Sequence, residues 1–449
     1  MLRYKALLLD VDNTLINTDD LYPTALHYVY LEHFKDLTDI VTFDEFKDVY
    51  KQVKQRNHSN LKATGASHSR TLYFKYLLQH FGLDYDLDLL LKMQADYWDY
   101  VLKHAKIYSG VIDFLSKAKN SFMRVAVVTD NRLEVQLQKI AYFRLDKYID
   151  VVISSEEAGG DKPAQAIFLF ALNEIDARRT QSLIVGNNSF SDILGGNITG
   201  IDTCQYLPGA LPTQYSDKIK SKYTIKNYEQ LQEILLIKDR EFTKDQAVVF
   251  DFVGGLVLPN HPLRDILLKI IKQNYKDSNV SYDKLVHLYF RLIYGEMPEK
   301  TFWNLLGVSA PEQVLVKFFG QMSVSLRIVN IMERFKKDQN NDSQLVNTKI
   351  VIATNLYSKW WKYAQNVFDF TKYADFVSFP DTVGFKKEDT DYWYQIFYRF
   401  PRIPAKNYIF YDSNLTVLKT LKHFWGKKVW IKSEEQKFVF IPDEIVEVG

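Results

Sequence analysis

The chain has 449 residues, 47% of them hydrophobic and 15% aromatic, so it has ample material for packed cores, and its length suggests about three units of roughly 150 residues. Lys plus Arg number 57 against 55 Asp plus Glu, which argues against gripping a nucleic acid polymer by bulk charge. A single cysteine, Cys204, excludes an internal disulfide framework and a cysteine-rich zinc site. The first apolar run (6–9) is too short for a signal peptide, and no run nears the roughly 20 apolar residues of a membrane span, so a soluble, cytoplasmic protein without a membrane partner is expected.

In chain order, short β-rich runs at 5–10, 124–130, 150–155, 182–188 and 202–207 predict strands, with helical stretches such as 111–119 and 133–141 between them. Strands alternating with helices predict an α/β fold with a doubly wound parallel sheet. The carboxyl ends of its strands, where chemistry sits in such sheets, carry Asp10, Thr129 and Asn187. Residues 17–107 interrupt the plan and are helical in pattern. TFDE at 42–45 is a capping-box candidate, and 71–81 and 87–104 carry apolar residues at helical spacing. A helical subdomain directly after the first strand is placed to act as a lid.

The second half repeats the scheme, with strands expected at 246–251, 349–354, 375–380, 407–413 and 427–432. A helical stretch follows at 257–345, ending in the polar loop 336–344, and the join between halves falls near 237–246. Thr129 to Lys162 and Thr354 to Lys387 are both 33 residues, while Lys162 to Asn187 and Lys387 to Asp412 are both 25. Two equal intervals between matching landmarks predict tandem copies of one fold.

DVDNT places Asp10 and Asp12 two apart on a strand-to-loop turn, with Thr14 beyond. Such carboxylates can flank one phosphorus centre, one attacking and the other moving a proton, but the same residues also suit a simple turn. The Thr129 hydroxyl and the amides of Asp130 and Asn131 can hold phosphoryl oxygens, or close a strand. Lys162 can offset charge near Asp10, or be solvated. Asn187 and Asp192, in VGNNSFSDILGG, suit Mg²⁺, and the same segment suits a helix N-cap at Asn188 or Ser189.

Taken together, Asp-x-Asp-x-Thr, Thr, Lys-Pro and Gly-Asn-x-x-x-x-Asp resemble the haloacid dehalogenase (HAD) superfamily over the first ~235 residues. The stretches SEEAGGDKPAQAIFLFAL and SDILGGNITGIDTCQY look most like its pyrimidine 5'-nucleotidase branch. The resemblance implies two tandem Rossmannoid parallel-sheet cores, each with an inserted C1-type helical cap. The first domain would span 1–236 (core 1–16 and 108–236, cap 17–107). The second would span 237–449 (core 246–256 and 346–449, cap 257–345). It implies Asp10 as nucleophile forming an aspartyl-phosphate, and Asp12 as acid/base. Thr14, Thr129, Asp130, Asn131 and Lys162 would bind phosphate, and Asp10, Asp12, Asn187 and Asp192 would bind Mg²⁺. Asn187 departs from the usual aspartate and implies a weaker metal site.

In the second copy Asp251, Thr354, Asn355, Lys387 and Asp412 fill the equivalent places, but Val253 replaces the acid/base, Gly255 the threonine and Val417 the second acid. A catalytically silent half is expected there, with a residual phosphate or Mg²⁺ site as the alternative. The first half is expected to hydrolyse a small phosphorylated metabolite with Mg²⁺, nucleoside monophosphates among the candidates. The two halves would pack as an intramolecular pseudo-dimer within a monomer. A pseudophosphatase that only binds is the competing expectation, and a phosphomutase shares the core chemistry. In the lid, His58, Lys62, His68 and Arg70 either face the site or are ordinary solvated polar residues, and Thr18 and Asp19 at the hinge are equally open.

Overall fold

The computed structural model describes residues 2–35, 40–61, 64–83, 86–209, 219–275, 279–337, 346–432 and 441–447. The chain divides into two compact units, Met1–Lys119 with Met123–Arg240, and Asn120–Phe122 with Glu241–Gly449.

In the first unit, β1 (Ala6–Leu9), β2 (Arg124–Thr129), β3 (Val151–Ser154), β4 (Ser182–Gly186), β5 (Asp202–Tyr206) and β6 (Tyr223–Ile225) form a sheet in the order β3-β2-β1-β4-β5-β6. Every pair is parallel, with Leu9 opposite both Val127 and Val185. β1 and β2 are buried at every position, as expected of central strands covered on both faces. Alternation sorts their side chains. Leu7, Leu9, Val125 and Val127 join one core with Phe114 and Leu115, while Ala6, Leu8, Ala126 and Val128 join another with Ile167, Phe168 and Leu172.

Between β1 and β2 lies a helical insertion, α1 (Leu21–His33), α2 (Phe43–Asn60), α3 (Arg70–His80) and α4 (Leu87–His104). Its neck is a two-strand antiparallel ladder of Ile16–Asn17 on Lys106–Ile107. The insertion has its own aromatic core around Phe34, Phe46, Tyr73, Phe74, Tyr97 and Trp98. Thr42 caps α2 as a capping box: its hydroxyl accepts from the Glu45 amide and its amide donates to the Glu45 carboxylate at 2.9 Å. Beyond β2, α5 (Leu133–Tyr142) returns toward β3.

The second unit repeats the sheet with β7 (Gln246–Asp251), β8 (Thr348–Ala353), β9 (Phe376–Ser378), β10 (Tyr408–Asp412), β11 (Lys427–Lys432) and β12 (Glu444–Glu447). The order is β9-β8-β7-β10-β11-β12, again parallel throughout. Its neck pairs Val257–Leu258 with Ser323–Val324, so the insertion closes before the expected residue 345. Helix Leu326–Lys337 then buries Ile328 and Met332 in the cluster that contains Val248, Phe250, Ile350 and Ile352. Most of the polar loop 336–344 lies outside the described residues. Edge strands β6 and β12 were not anticipated from the sequence. No helix among the described residues is long and apolar enough to cross a membrane.

Candidate active site

The central strand of the first unit ends at Leu9, which delivers Asp10 and Asp12 to the carboxyl edge of the sheet beside the ends of β2 and β4. There a cavity of about 300 Å³ is lined from the core by Asp10, Asp12, Thr129, Asp130, Asn131, Lys162, Asn187 and Asp192. These are the predicted residues, gathered from four separate loops, with one exception.

That exception is Thr14. It is fully buried, its hydroxyl donates to Asp10 Oδ2 at 3.1 Å, and its carbonyl accepts from Tyr228 Oη at 2.6 Å. It does not line the cavity, so it orients the Asp10 carboxylate instead of touching a ligand, which corrects its expected phosphate-binding role.

Lys162 Nζ lies 2.7 Å from both Asp10 Oδ1 and Asp192 Oδ1, and donates also to the Val128 carbonyl at 3.1 Å. Burial works against this ammonium, but the two carboxylates outweigh it and hold its pKa well above the usual lysine range. Burial pushes the Asp10 carboxyl up to about 7, with Lys162 opposing and Asp192 adding to the rise. Asp130 positions the loop: its carboxylate accepts from the Lys162 amide at 2.7 Å. Burial raises it too, against Lys162.

Asp12 is gripped differently. Lys139 Nζ on α5 lies 2.6 Å from its Oδ1, and Thr18 Oγ1 donates to the same oxygen at 3.1 Å. Gln136 Nε2 at 3.3 Å and Asn131 Nδ2 at 3.4 Å approach Oδ2. Burial alone would raise the Asp12 carboxyl, but Lys139 and these donors hold it below the ordinary carboxylate value. Lys139 in turn stays below its own ordinary value, because burial costs it more than Asp12 returns. Thr129 is held by the same helix, its hydroxyl accepting from Gln136 Nε2 at 2.8 Å and from the Asn131 amide at 3.1 Å. Sequence reasoning missed Gln136 and Lys139. Their signal is two polar residues three apart on the buried stripe of α5, beside Val135 and Ile140.

The motif after β4 needs its glycine, since a Cβ on Gly186 would lie 2.3 Å from the Asp192 carboxylate. Asp192 is fully engaged, by Lys162 and by the Asn188 amide at 3.0 Å. The Asn188 side chain caps the next turn, accepting from the amides of Phe190 and Ser191 at 2.9 and 3.2 Å. Asn187 lines the cavity, and no hydrogen bond engages its side-chain amide among the described residues. No cluster of three or more His, Cys, Asp or Glu set to hold a metal occurs among them. Mg²⁺ asks less, since one or two carboxylates with water and substrate oxygens suffice. Asp10, which accepts only from Thr14 at Oδ2, and Asn187 fit such a weakly held ion. Asp192 is the poorer donor.

The lid closes the far side with Tyr22, Lys54, His58, His68 and Arg70, together with Asn13 and Asp19. Lys62 lies outside the described residues.

In the second unit Lys387 Nζ bridges Asp251 Oδ1 and, at 2.8 Å, Asp412 Oδ2. The Lys387 amide donates to Asn355 Oδ1 at 2.8 Å, as Lys162 does to Asp130, and the Leu356 amide donates to Thr354 Oγ1 at 3.0 Å, as Asn131 does to Thr129. Ser413 Oγ donates to Asp251 Oδ2 at 2.7 Å. A cavity of about 320 Å³ here is lined by Asp251, Asn355, Lys387 and Glu388, but also by Val253, Leu263, Phe290, Phe318 and Met322. Thr354 and Asp412 are buried and do not line it.

Comparison with known proteins finds relatives of the first half of the chain. A family model described as haloacid dehalogenase-like hydrolase matches residues 7–206. Ribulose-1,5-bisphosphate 5-phosphatase from Halopiger xanaduensis is 30% identical over 207 residues, 45% of this chain and 84% of that protein. Pyrimidine 5'-nucleotidase PynA from Streptococcus pneumoniae is 26% identical, covering 52% of this chain and 95% of its own length. Glyceraldehyde 3-phosphate phosphatase from Methanopyrus kandleri is 26% identical, covering 46% and 84%. The crystal structure of YfnB from Bacillus subtilis bound to magnesium aligns at TM-score 0.39 and 26% identity, over 52% of this chain and 99% of that one.

Proposed function

The chain belongs to the haloacid dehalogenase-like hydrolases, and we propose that its first unit is a phosphatase for a small phosphorylated metabolite. The observation that carries this is the pair Asp10 and Asp12 on one cavity wall, each with its own buried lysine. Asp10, oriented by Thr14, attacks phosphorus and forms an aspartyl-phosphate. Asp12, ionised beside Lys139 in the free site, takes up a proton as the substrate binds, gives it to the leaving oxygen and then takes one from the water that hydrolyses the intermediate. Lys162 and the amides after Thr129 offset charge on the phosphoryl oxygens. Asp10 and Asn187 would hold Mg²⁺, which when bound supplies further positive charge to that group.

The relatives' names support a substrate of sugar-phosphate to nucleotide size, and the cavity sits at the lower end of the roughly 300–1,000 Å³ usual for ligand sites. The second unit is proposed to be a silent tandem copy, because Val253 supplies no proton where Asp12 does. With this go a cytoplasmic setting and a small-molecule substrate in place of a nucleic acid or membrane partner. A second reading, binding without turnover, rests on Asn187.

The test is phosphate release from a panel of phosphomonoesters, nucleoside monophosphates included, with and without Mg²⁺. Release that needs Mg²⁺, is lost in Asp10→Asn and is kept in Asp251→Asn is expected. No release from any member by folded protein would favour binding alone.

A further inference from the structure

The cavity of the first unit is electrically lopsided. Its core wall carries the four carboxylates Asp10, Asp12, Asp130 and Asp192, whereas its lid wall carries Lys54, His58, His68 and Arg70, with Asp19 as the acid on that side. Lys54 and His58 stand four apart on α2 and so share a face. His68 is spoken for, its Nε2 lying 3.0 Å from Asp161 Oδ2, which ties the lid to the Lys162 loop.

Arg70 is the telling residue. It is only 9% exposed, it opens α3, and its guanidinium is ringed by Tyr22, Tyr73, Tyr97 and Trp98, with ring centroids 5.2 to 5.4 Å away. Its Nη1 donates to the His68 carbonyl at 3.0 Å, its buried Nε has no partner, and no carboxylate among the described residues pairs with it. Aromatic faces favour a guanidinium but do not neutralise it, and buried charges are normally paired. The neighbouring cations feel the same excess. Burial and then Arg70 hold the Lys54 ammonium below its ordinary value, and burial, His68 and Lys54 do the same to His58. An anion in this corner would relieve all of them.

We infer that the lid wall is a second anion subsite, in which Arg70 and Lys54 hold a carboxylate or a second phosphate on the leaving group of the substrate. The inference rests on the proposed hydrolysis at Asp10 and narrows its substrate to phosphomonoesters bearing a second negative group. The core wall takes the phosphoryl group beside Lys162, and the remainder of the substrate reaches the lid within a cavity of about 300 Å³, so the second anion must belong to a small molecule.

Matched pairs separate the two sources of charge. 3-Phosphoglycerate against glycerol 3-phosphate isolates a carboxylate; fructose 1,6-bisphosphate against fructose 6-phosphate isolates a second phosphate. A charge-assisted contact predicts a kcat/KM about tenfold or more higher for the anionic member of at least one pair. Lys54→Met, on an exposed stretch of α2, and Arg70→Met should each pull that ratio back toward one. Ratios near one in both pairs, or a preference that survives both substitutions, overturn the inference. If no substrate is hydrolysed, the proposed function has failed separately. The same pairs are then compared by calorimetric binding to the folded wild-type chain, where tighter binding of the anionic member supports the subsite and equal affinity overturns it.

Discussion

After β1, Asn13 takes φ 59° and its amide donates to the Ile16 carbonyl at 2.7 Å; after β7, Gly254 takes φ 89° and its amide donates to the Val257 carbonyl at 2.7 Å. The turns are the same, yet Asp12 stands in one and Val253 in the other. Each unit also keeps a buried lysine between two carboxylates, but the second carboxylate changes place. In the first unit it is Asp192, at the far end of the motif after β4. In the second it is Asp412, the last residue of β10, at the place where the first unit has Asn187. The Lys–acid triad thus behaves as a structural requirement that either position can meet. A buried ammonium needs counter-charge whether or not the site reacts. Asp12, the acid/base of the proposed reaction, carries no such obligation, and the second unit has Val253 in its place.

The largest effect expected is on chemistry. Asp12→Asn should lower kcat by about 10²–10⁴-fold. The reciprocal change, Val253→Asp in a chain already carrying Asp10→Asn, should restore nothing measurable. Gly255 holds the place of Thr14, and a Cβ there would lie 2.3 Å from the Asp251 carbonyl oxygen, so the hydroxyl on Asp251 Oδ2 comes from Ser413 instead, and the cavity beside it is walled by Leu263, Phe290 and Phe318. Phosphate release by the double variant would break the comparison.

Next comes stability. Removing Lys387 leaves Asp251 and Asp412 buried without a cation, so Lys387→Met should destabilise the second unit by about 3–5 kcal/mol in denaturant unfolding, with phosphate release per folded molecule retained. Lys162→Met should cost the first unit as much and abolish turnover as well. Equal activity loss in both variants would mean that the units do not divide the work as described.

A subtler change concerns pH. Lys139 opposes the effect of burial on Asp12. In Lys139→Met burial prevails, the Asp12 carboxyl titrates at higher pH, and the limb of the kcat/KM profile that reports it moves upward. An unmoved limb would detach Lys139 from the chemistry. Smallest is Asn187→Asp, which adds a carboxylate facing the cavity and should lower the Mg²⁺ concentration needed for half-maximal rate; an unchanged or raised requirement contradicts the assignment.

The sheets were legible because β1, β2, β4, β7 and β10 are continuous apolar runs that end at polar turns. Edge strands β6 and β12 were not, since three or four residues of mixed character at a sheet margin carry little pattern. Asp10, Asp12, Lys162 and Asp192 were legible as motifs. Lys139 and Gln136 were hidden in a helix whose polar residues look solvated until α5 is docked on the sheet. Arg70 was visible only as a basic residue in a polar loop, because its aromatic ring is assembled from α1, α3 and α4. What sequence alone mistook was Thr14, whose place in the motif suggests a ligand contact and whose burial makes it a prop for Asp10.

The most direct test of the division between the units is to quench the enzyme in acid during turnover and map phosphoryl groups on its peptides. An aspartyl-phosphate is expected on the peptide containing Asp10 and none on the peptide containing Asp251. A phosphoryl group on Asp251, or turnover with Asp10 never modified, would contradict that division.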